Sequence, residues 1–198
     1  MCIRDSPSTA VSYSNLALVL QALGDYKGAK DLLEKAMKSD EKNFGEGHPT
    51  TVVSYSNLAL VLQDLGDYKG SKELLEKAMK SDEKNFGESH PSTARSYSNL
   101  ATVLQDLGDY IGAKALLEKA MKSDEKNFGE SHPTTAIRYS NLALVLKDLE
   151  ELDQAKFLSE KAVEIFKNKL PQGHPNITTV EKVLKSIEEE IEKKGGTE

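Results

Sequence analysis

Four histidines occupy one place in a pattern that recurs every 42 residues, and each precedes a proline. Histidine is a common metal ligand and general base, so metal binding and catalysis are the first chemistry to consider. The four are His48, His90, His132 and His174. If every unit folds alike, successive histidines lie about 10 Å apart, whereas a zinc ligand lies about 2 Å from its ion. We therefore expect the histidines to be structural and to share no metal.

Other reactive groups form no catalytic constellation in the sequence. The hydroxyls of Ser12, Ser14, Ser54 and Ser56 have no histidine or carboxylate at nucleophile spacing. The stretch "GDYKG" contains glycine but lacks the spacing of a phosphate-binding loop. Cys2 is the single cysteine, so neither a disulfide nor a cysteine zinc site is expected. We expect a protein that is not an enzyme and needs no cofactor.

Composition limits the kinds of partner. The net charge is −6 and the pI about 5.4, which disfavours nucleic acid because phosphate neutralisation needs a basic surface. No apolar run approaches the roughly 18 residues of a membrane span. The single cysteine suits a reducing compartment, so the expected location is the cytoplasm.

Internal repetition organises the chain. Prolines 42 residues apart mark four full units, and residues 49–90 differ from residues 91–132 at only seven positions. The units are 7–48, 49–90, 91–132 and 133–174, followed by residues 175–198.

The first six residues, "MCIRDS", share nothing with the repeat, and Ser6 stands where later units have histidine. The string resembles the translation of an adaptor used in sequencing libraries. We expect residues 1–6 to be a non-native scar, the alternative being a short natural N-terminus.

Each unit reads as two helices. In the second unit the first helix is predicted from Pro49 to Leu65, with an apolar stripe at Tyr55, Leu58, Ala59, Leu62 and Leu65. Gly66 suits the left-handed residue that ends a helix, and Asp67 can cap the next one. That second helix is predicted from Tyr68 to Lys84, with Glu73/Lys77 and Glu76/Lys80 pairs on its outer face. Since one such hairpin cannot bury both stripes, neighbouring units must stack.

The segment "YSNLALVLQDLGDYKGSKELLEKAM" resembles a tetratricopeptide repeat. The matching positions are Leu58, Ala59, Leu62, Gly66, Tyr68, Leu75 and Ala78. The 42-residue period and the His-Pro start resemble the longer variant of kinesin light chains and of sensor arrays in bacterial signalling NTPases. The resemblance implies an all-α fold, a right-handed α-solenoid of helix–turn–helix repeats.

Two regions depart from this pattern. The fourth unit has Glu150, Leu152 and Ser159 where the pattern has Gly, Tyr and Leu. Residues 175–198 read as an amphipathic C-terminal capping helix ending in a frayed tail, "KKGGTE".

One face of the first helix is not explained by packing within the hairpin. Val53, Asn57, Leu60 and Asp64 fall on a narrow arc opposite the apolar stripe. The resemblance implies that first helices line a concave groove, where equivalent asparagines hold a bound chain. The candidate groove residues are Asn15, Asn57, Asn99, Asn141, Val53, Arg95, Ile137, Leu18, Leu60, Thr102, Leu144, Asp64, Asp106 and Asp148. The alternative is that the asparagines only cap helices or bridge repeats.

Two differences between the middle units fall on this arc, since Arg95 matches Val53 and Thr102 matches Leu60. They favour tuning of recognition, although drift after duplication is the competing explanation. We expect a non-catalytic scaffold that binds a protein or peptide segment in the groove. The alternatives are the sensor array of a larger signalling NTPase and a module that self-associates end to end.

Overall fold

The computed structural model describes residues 7–195, and within this range it has nine α-helices and no strand. Residues 1–6, the expected scar, lie outside the described range, as do residues 196–198. The chain divides after Glu88 into two larger compact units, called unit 1 and unit 2, each of which contains two of the helix pairs predicted from the 42-residue repeats. No helix within the described range has the length and apolar character needed to cross a membrane.

Unit 1 contains α1 (Pro7–Ala22), α2 (Tyr26–Phe44), α3 (Pro49–Asp64) and α4 (Tyr68–Phe86). Unit 2 contains α5 (Pro91–Asp106), α6 (Tyr110–Phe128), α7 (Pro133–Asp148), α8 (Leu152–Lys169) and α9 (Pro175–Gly195).

Local chemistry sets the helix ends. Proline occupies the first turn of α3, where its missing N–H is not needed. The helix ends at Asp64, one residue before the prediction, and Gly66 follows with φ of 78°. Asp67 then accepts a hydrogen bond from the Gly70 N–H at 3.0 Å, as expected of a cap. The second helix, α4, extends two residues beyond the predicted Lys84.

The core of unit 1 is built from small and branched side chains. Ala17, Ala29 and Leu33 of the first hairpin pack with Leu58 and Val61 of α3 in one cluster. The predicted stripe on α3 is buried except at its end, where Leu65 is exposed. Val61 and Val52 are also buried, although the predicted stripe left them out. Because α3 contacts both α2 and α4, its buried face is wider than a single hairpin requires.

The charged surface of α4 follows a different register from the prediction. Lys72 pairs with Glu76 at 3.8 Å, and both side chains are more than a third exposed. Lys77 instead lies over the ring of Tyr55, 5.7 Å from its centroid. Lys77 therefore contacts the neighbouring helix and does not simply extend into solvent.

A set of polar contacts joins α2 to α3 in unit 1 and α6 to α7 in unit 2. Between α2 and α3, Ser54 donates to the buried Asp40, Tyr55 donates to Glu41 at 2.8 Å, and Thr51 donates to the Gly45 carbonyl. Between α6 and α7, Tyr139 donates to Glu125 at 2.7 Å and Thr135 donates to the Gly129 carbonyl. Arg138 takes the place of the serine and pairs with Asp124 at 2.7 Å. These contacts fix the register between the stacked helices.

The C-terminal helix closes unit 2 with an apolar version of the same contact. Phe166 of α8 and Val180 of α9 stand where the other junctions have a buried aspartate and its donor, and both are buried in one cluster with Ile177. Of the tail predicted to fray, Lys193, Lys194 and Gly195 form the end of α9, and residues 196–198 lie outside the described range. Lys194 pairs with Glu150 at 2.9 Å, which ties the end of α9 to the turn before α8.

Candidate functional site

The predicted groove residues lie on the first helix of each pair, on α1 and α3 in unit 1 and on α5 and α7 in unit 2. On α3 the arc is accessible. Val53 and Leu60 are 46% and 48% exposed, Asp64 is exposed, and Asn57 is half-buried. The adjacent residues Leu58 and Ala59 are buried.

The remaining candidates are also accessible. The exposed ones are Asn15, Leu18, Arg95, Thr102, Asp106, Ile137 and Asp148, and the half-buried ones are Asn99, Asn141 and Leu144. Taken over its two first helices, each of unit 1 and unit 2 therefore presents amides, apolar side chains and at least one carboxylate at these accessible positions.

A cavity of about 210 Å³ opens on this face in unit 2, between α7 and α9. Two predicted groove residues, Ile137 and Asn141, line it beside Asn176 and Thr179 of α9. The other lining residues are Ser140, Phe166 and Val180. Two amides can donate and accept hydrogen bonds at this cavity, while isoleucine and the buried Phe166 provide apolar contact. Sequence reasoning found Ile137 and Asn141 but missed the contribution of α9.

Most charged groups beside this face in unit 2 already have partners. Arg138 donates to Asp124 and to the Ser98 hydroxyl, at 2.7 and 2.8 Å. Lys147 of α7 lies 3.6 Å from Glu190 of α9. Asp148 accepts from Gln105 of α5 at 2.8 Å. Arg138 and Lys147 are thus engaged within the protein, which disfavours a clamp for a partner's carboxylates.

The histidines have a structural role that the sequence did not specify. Nδ1 of His48 accepts the Thr50 N–H at 3.2 Å, so the imidazole caps the start of α3. The same bond recurs at His90, His132 and His174, at 3.1 to 3.2 Å. Among residues 7–195 no three His, Cys, Asp or Glu side chains lie close enough to hold a metal ion. The imidazoles are helix caps in loops, with one nitrogen committed to the backbone.

Two tyrosines have strongly perturbed titration. Burial raises the pKa of Tyr55 well above its usual value of 10.0, and the hydrogen bond to Glu41 raises it further. Tyr139 is shifted in the same direction by burial and by Glu125. Both hydroxyls donate to a carboxylate in a register contact between helices, so the shifts report structure and no reactive group.

A second cavity, of about 530 Å³, lies on the outer side of unit 2 between α6 and α8. Leu142 and Leu146 of α7 line it, with Met121 and the exposed Phe157 beside them. Phe157 stands where the repeat of residues 49–90 has Glu73. The first three repeats therefore did not predict an aromatic residue at this position.

Comparison with protein families identifies the repeated helix pair. The model described as tetratricopeptide repeat matches residues 8–84, 54–120 and 92–168. The chain belongs to the tetratricopeptide repeat family. Its fold class is that of the all-α repeat solenoids, which generally serve as protein-interaction modules without catalysis.

Solved structures of tetratricopeptide-like proteins are similar over most of the chain. One is the crystal structure of nearly identical TPR-like repeats of a protein assigned as a kinesin light chain from Podosopora anserina. It is 27% identical with a TM-score of 0.79, covering 92% of this chain and 86% of that one. A single-residue variant of it is 26% identical with a TM-score of 0.80, covering 91% and 85%. BtubC from P. vanneervenii, at 23% identity and TM-score 0.79 over 91% and 72%, shares the fold. A search of curated protein sequences gave no significant match.

The fourth tetratricopeptide unit departs from the others in sequence but keeps the left-handed turn, in which Gly66 and Gly108 have φ of 78°. Glu150 adopts φ of 63° at the turn where the other units have glycine. Leu152 is buried in the tyrosine slot. Ser159 is fully buried where the other units have leucine, and its hydroxyl has no hydrogen-bond partner within the described chain.

Proposed function

We propose that the accessible face of the first helices binds an extended segment of another protein, as a non-catalytic scaffold. The observation that carries the proposal is the cavity between α7 and α9, where Ile137 and Asn141 lie side by side. Asn141 provides both a donor and an acceptor for a peptide backbone, and Ile137 with Phe166 provides a contact for one apolar side chain.

The charges favour a partner that is neutral or basic near this face. Asp64 and Asp106 are exposed on their helices, and the net charge of the chain is −6. Arg138 and Lys147 are engaged by Asp124 and Glu190. A lysine or arginine in the ligand is therefore a better match than a carboxylate.

The repeated asparagines provide the test. The probe is a peptide selected from a displayed library of extended peptides against the unmodified chain, and the readouts are thermal unfolding and calorimetric titration. Asn57→Ala with Asn99→Ala should leave the melting temperature nearly unchanged. Each lost hydrogen bond should weaken peptide binding by about 0.5–1.5 kcal/mol.

Two control variants separate binding from folding. Phe157→Ser changes an exposed residue at the outer cavity and should leave the affinity unchanged. Ala59→Leu should cost about 1–3 kcal/mol of stability, because Ala59 is fully buried and the helices cannot separate freely. If the double asparagine variant melts far below the parent, or if only Phe157→Ser weakens binding, the proposed face is wrong.

A further inference from the structure

The outer cavity of unit 2, about 530 Å³ in volume, has an apolar floor and apolar sides. Leu142 and Leu146 of α7 form the floor and are only 3% and 1% exposed. Met121 and Leu158 are half-buried at its sides, and Phe157 is 59% exposed beside them. These apolar side chains line a space far larger than the roughly 30 Å³ that one water molecule occupies.

The outer cavity is short along the three helices that form it. Its lining residues fall within 118–122 of α6, 142–146 of α7 and 153–158 of α8. At a rise of about 1.5 Å per residue, each range covers roughly 6–8 Å. A partner helix that docks through side chains at i, i+3, i+4 and i+7 needs about 10 Å of groove. The dimensions therefore favour a compact ligand, and the volume lies within the range of about 300–1,000 Å³ typical of small-molecule sites.

Three charged side chains that line the outer cavity have no partner in the described chain. Glu118 and Lys122 of α6 and Asp153 of α8 form no side-chain hydrogen bond or ion pair there. Glu118 and Lys122 are four residues apart on one helix, a spacing at which opposite charges can pair. Elsewhere on α8, by contrast, Lys156 lies 3.6 Å from Glu188. The cavity is thus bordered by two carboxylates and one ammonium group that are available to a ligand.

The α8 side of the outer cavity differs from the matching place in unit 1. Asp153, Gln154 and Phe157 stand where α4 has lysine, glycine and glutamate, while the two floor positions are leucine in both repeats. The four matching edge positions in unit 1 are two carboxylates and two lysines, at Glu34, Lys38, Lys69 and Glu73. Balanced charge is therefore replaced in unit 2 by an aromatic ring and one excess negative charge.

We propose that the outer cavity binds a small organic molecule that has an apolar body and a single positive charge. The body packs on the leucine floor and against Phe157, and the charge lies beside Glu118 and Asp153. Lys161 is already placed over the Phe157 ring, 5.6 Å from its centroid, so the ligand's charge is assigned to the carboxylates and its body to the ring. The site is separate from the cavity at Ile137 and does not depend on the proposed peptide binding.

Three probes that share one body but differ in charge test the site: phenylbutylamine, phenylbutanol and phenylbutyrate. The full chain is titrated with each probe, and binding is followed by the NMR signals of the methionine methyl groups. Met121 lines the cavity, whereas Met37 and Met79 hold the matching places in two earlier repeats and are internal controls. We expect a saturable shift of Met121 and none of the two controls. Met121→Leu assigns the signal by removing it.

The charge of the probe should set the order of affinity. The amine should bind about three- to fivefold more tightly than the alcohol, as expected for partly exposed charges, and the carboxylate should bind most weakly. Added sodium chloride should reduce the preference because it screens these charges. Glu118→Gln with Asp153→Asn should abolish the preference for the amine and leave the affinity for the alcohol nearly unchanged.

Variants of exposed apolar residues test the location. Phe157→Ser should weaken binding of all three probes about fivefold or more, because it removes the aromatic wall of the cavity. Ile111→Ser is the matched control, since Ile111 of α6 is 76% exposed but does not line the cavity. It should leave all three affinities unchanged. Thermal unfolding checks that both variants fold.

Four results would overturn the proposal. The first is the absence of a saturable Met121 shift with any probe, and the second is an equal shift of Met37, Met79 and Met121, which would mean that the probes bind every repeat. The third is equal affinity of the amine and the alcohol for the unmodified chain. The fourth concerns an alanine-based helical peptide with leucines at i, i+3 and i+7 and lysines between them. If this peptide shifts Met121 in a Phe157-dependent manner and the probes do not, the cavity belongs to a partner helix.

Discussion

Each of the four histidines acts through Nδ1, which accepts a backbone N–H at the start of a first helix. Ser, Thr, Asp and Asn are the usual residues at such a position, so a histidine cap could not be predicted from residue type. The rings of Phe128 and His132 also stack, with centroids 5.0 Å apart, which holds the imidazole in the capping orientation.

His132→Asn should preserve the cap, whereas His132→Ala should cost about 1 kcal/mol of folding free energy. The reason is that asparagine supplies a side-chain acceptor for the Thr134 N–H and alanine does not. Urea unfolding of the two variants gives the comparison. Equal losses would mean that ring stacking, and not the cap, is the stabilising contact.

Tyr55 and Tyr139 should make the fold sensitive to alkali. Their pKa values are raised above 10.0 in the folded chain, chiefly by burial. Above a pH of about 10 the unfolded chain releases these protons while the folded chain retains them, so stability falls as pH rises. Denaturant unfolding from pH 8 to 11 should show the decline, and Tyr55→Phe with Tyr139→Phe should make it shallower. A slope unchanged by the double variant would contradict this assignment.

Glu150→Gly should stabilise the chain by about 1 kcal/mol, because a left-handed conformation is unfavourable for a residue with a Cβ. The gain is reduced by loss of the ion pair with Lys194, which is weak because both side chains are exposed to solvent. Lys194→Gln removes the ion pair without changing the turn and is the control. Thermal unfolding of both variants separates the two effects. Glu150→Gly melting below Lys194→Gln would mean that the turn is not strained.

The first helices α1 and α3 have almost the same sequence, which allows a comparison of local stability inside one molecule. Because their sequences are almost the same, intrinsic helix propensity cannot distinguish them, and the difference is the cover that α2 gives to α3. We expect amide hydrogens of α1 to exchange at least about tenfold faster than those of α3. Hydrogen exchange with mass spectrometry can resolve the two helices. Equal protection would show that something covers α1 in solution.

Helix positions were largely predictable from the sequence because their ends have local causes. Pro49, Gly66 and Asp67 marked the ends of α3 and the start of α4 to within one residue. The width of the buried face was not predictable from one hairpin. Val61 is buried because α3 is flanked by α2 as well as α4, which requires knowing how units stack.

The candidate site was predictable only in part. A helical wheel correctly anticipated that Val53 and Leu60 are exposed next to the buried Leu58. The cavity beside Ile137 and Asn141 depends on α9, whose Asn176 and Thr179 replace the residues of earlier units. The bond from Gln105 to Asp148 joins two first helices 43 residues apart in sequence. Hydrogen bonds of this kind depend on the distance between successive first helices, and the sequence of one repeat does not specify that distance. Whether these residues bind a ligand stays a prediction.

At the scale of the whole molecule, the four repeats show where the sequence can change without cost to the fold. The register contacts of α2 reach residues that recur in the next unit, since Thr93, Ser96 and Tyr97 match Thr51, Ser54 and Tyr55. Most of the variation between residues 49–90 and 91–132 falls on accessible positions such as Arg95 and Ile111, while Ala94 and Ala113 replace the buried Val52 and Ser71. Accessible positions can therefore change with less effect on packing than buried ones.

A chain lacking residues 49–90 should still fold cooperatively, with His48 now followed by Pro91. Its melting temperature should be lower, because the stability of a repeat array is approximately a sum over units and the interfaces between them. Circular dichroism during thermal unfolding is the measurement. Removal of residues 49–66, which deletes α3 but keeps α4 without the helix it pairs with, is the control and should give a broader transition than removal of residues 49–90. If only the control variant unfolds cooperatively, the contacts of one repeat cannot replace those of the next.

Because the repeats are nearly identical, recombination can change how many of them the chain contains. Loss or duplication of one 42-codon segment, by recombination between the stretches encoding residues 49–90 and 91–132, leaves every helix junction with a partner it already tolerates. What changes is the number of first helices and of the asparagines they carry. In the proposed binding role, one genetic event could thus lengthen or shorten the bound segment before any point mutation alters a side chain.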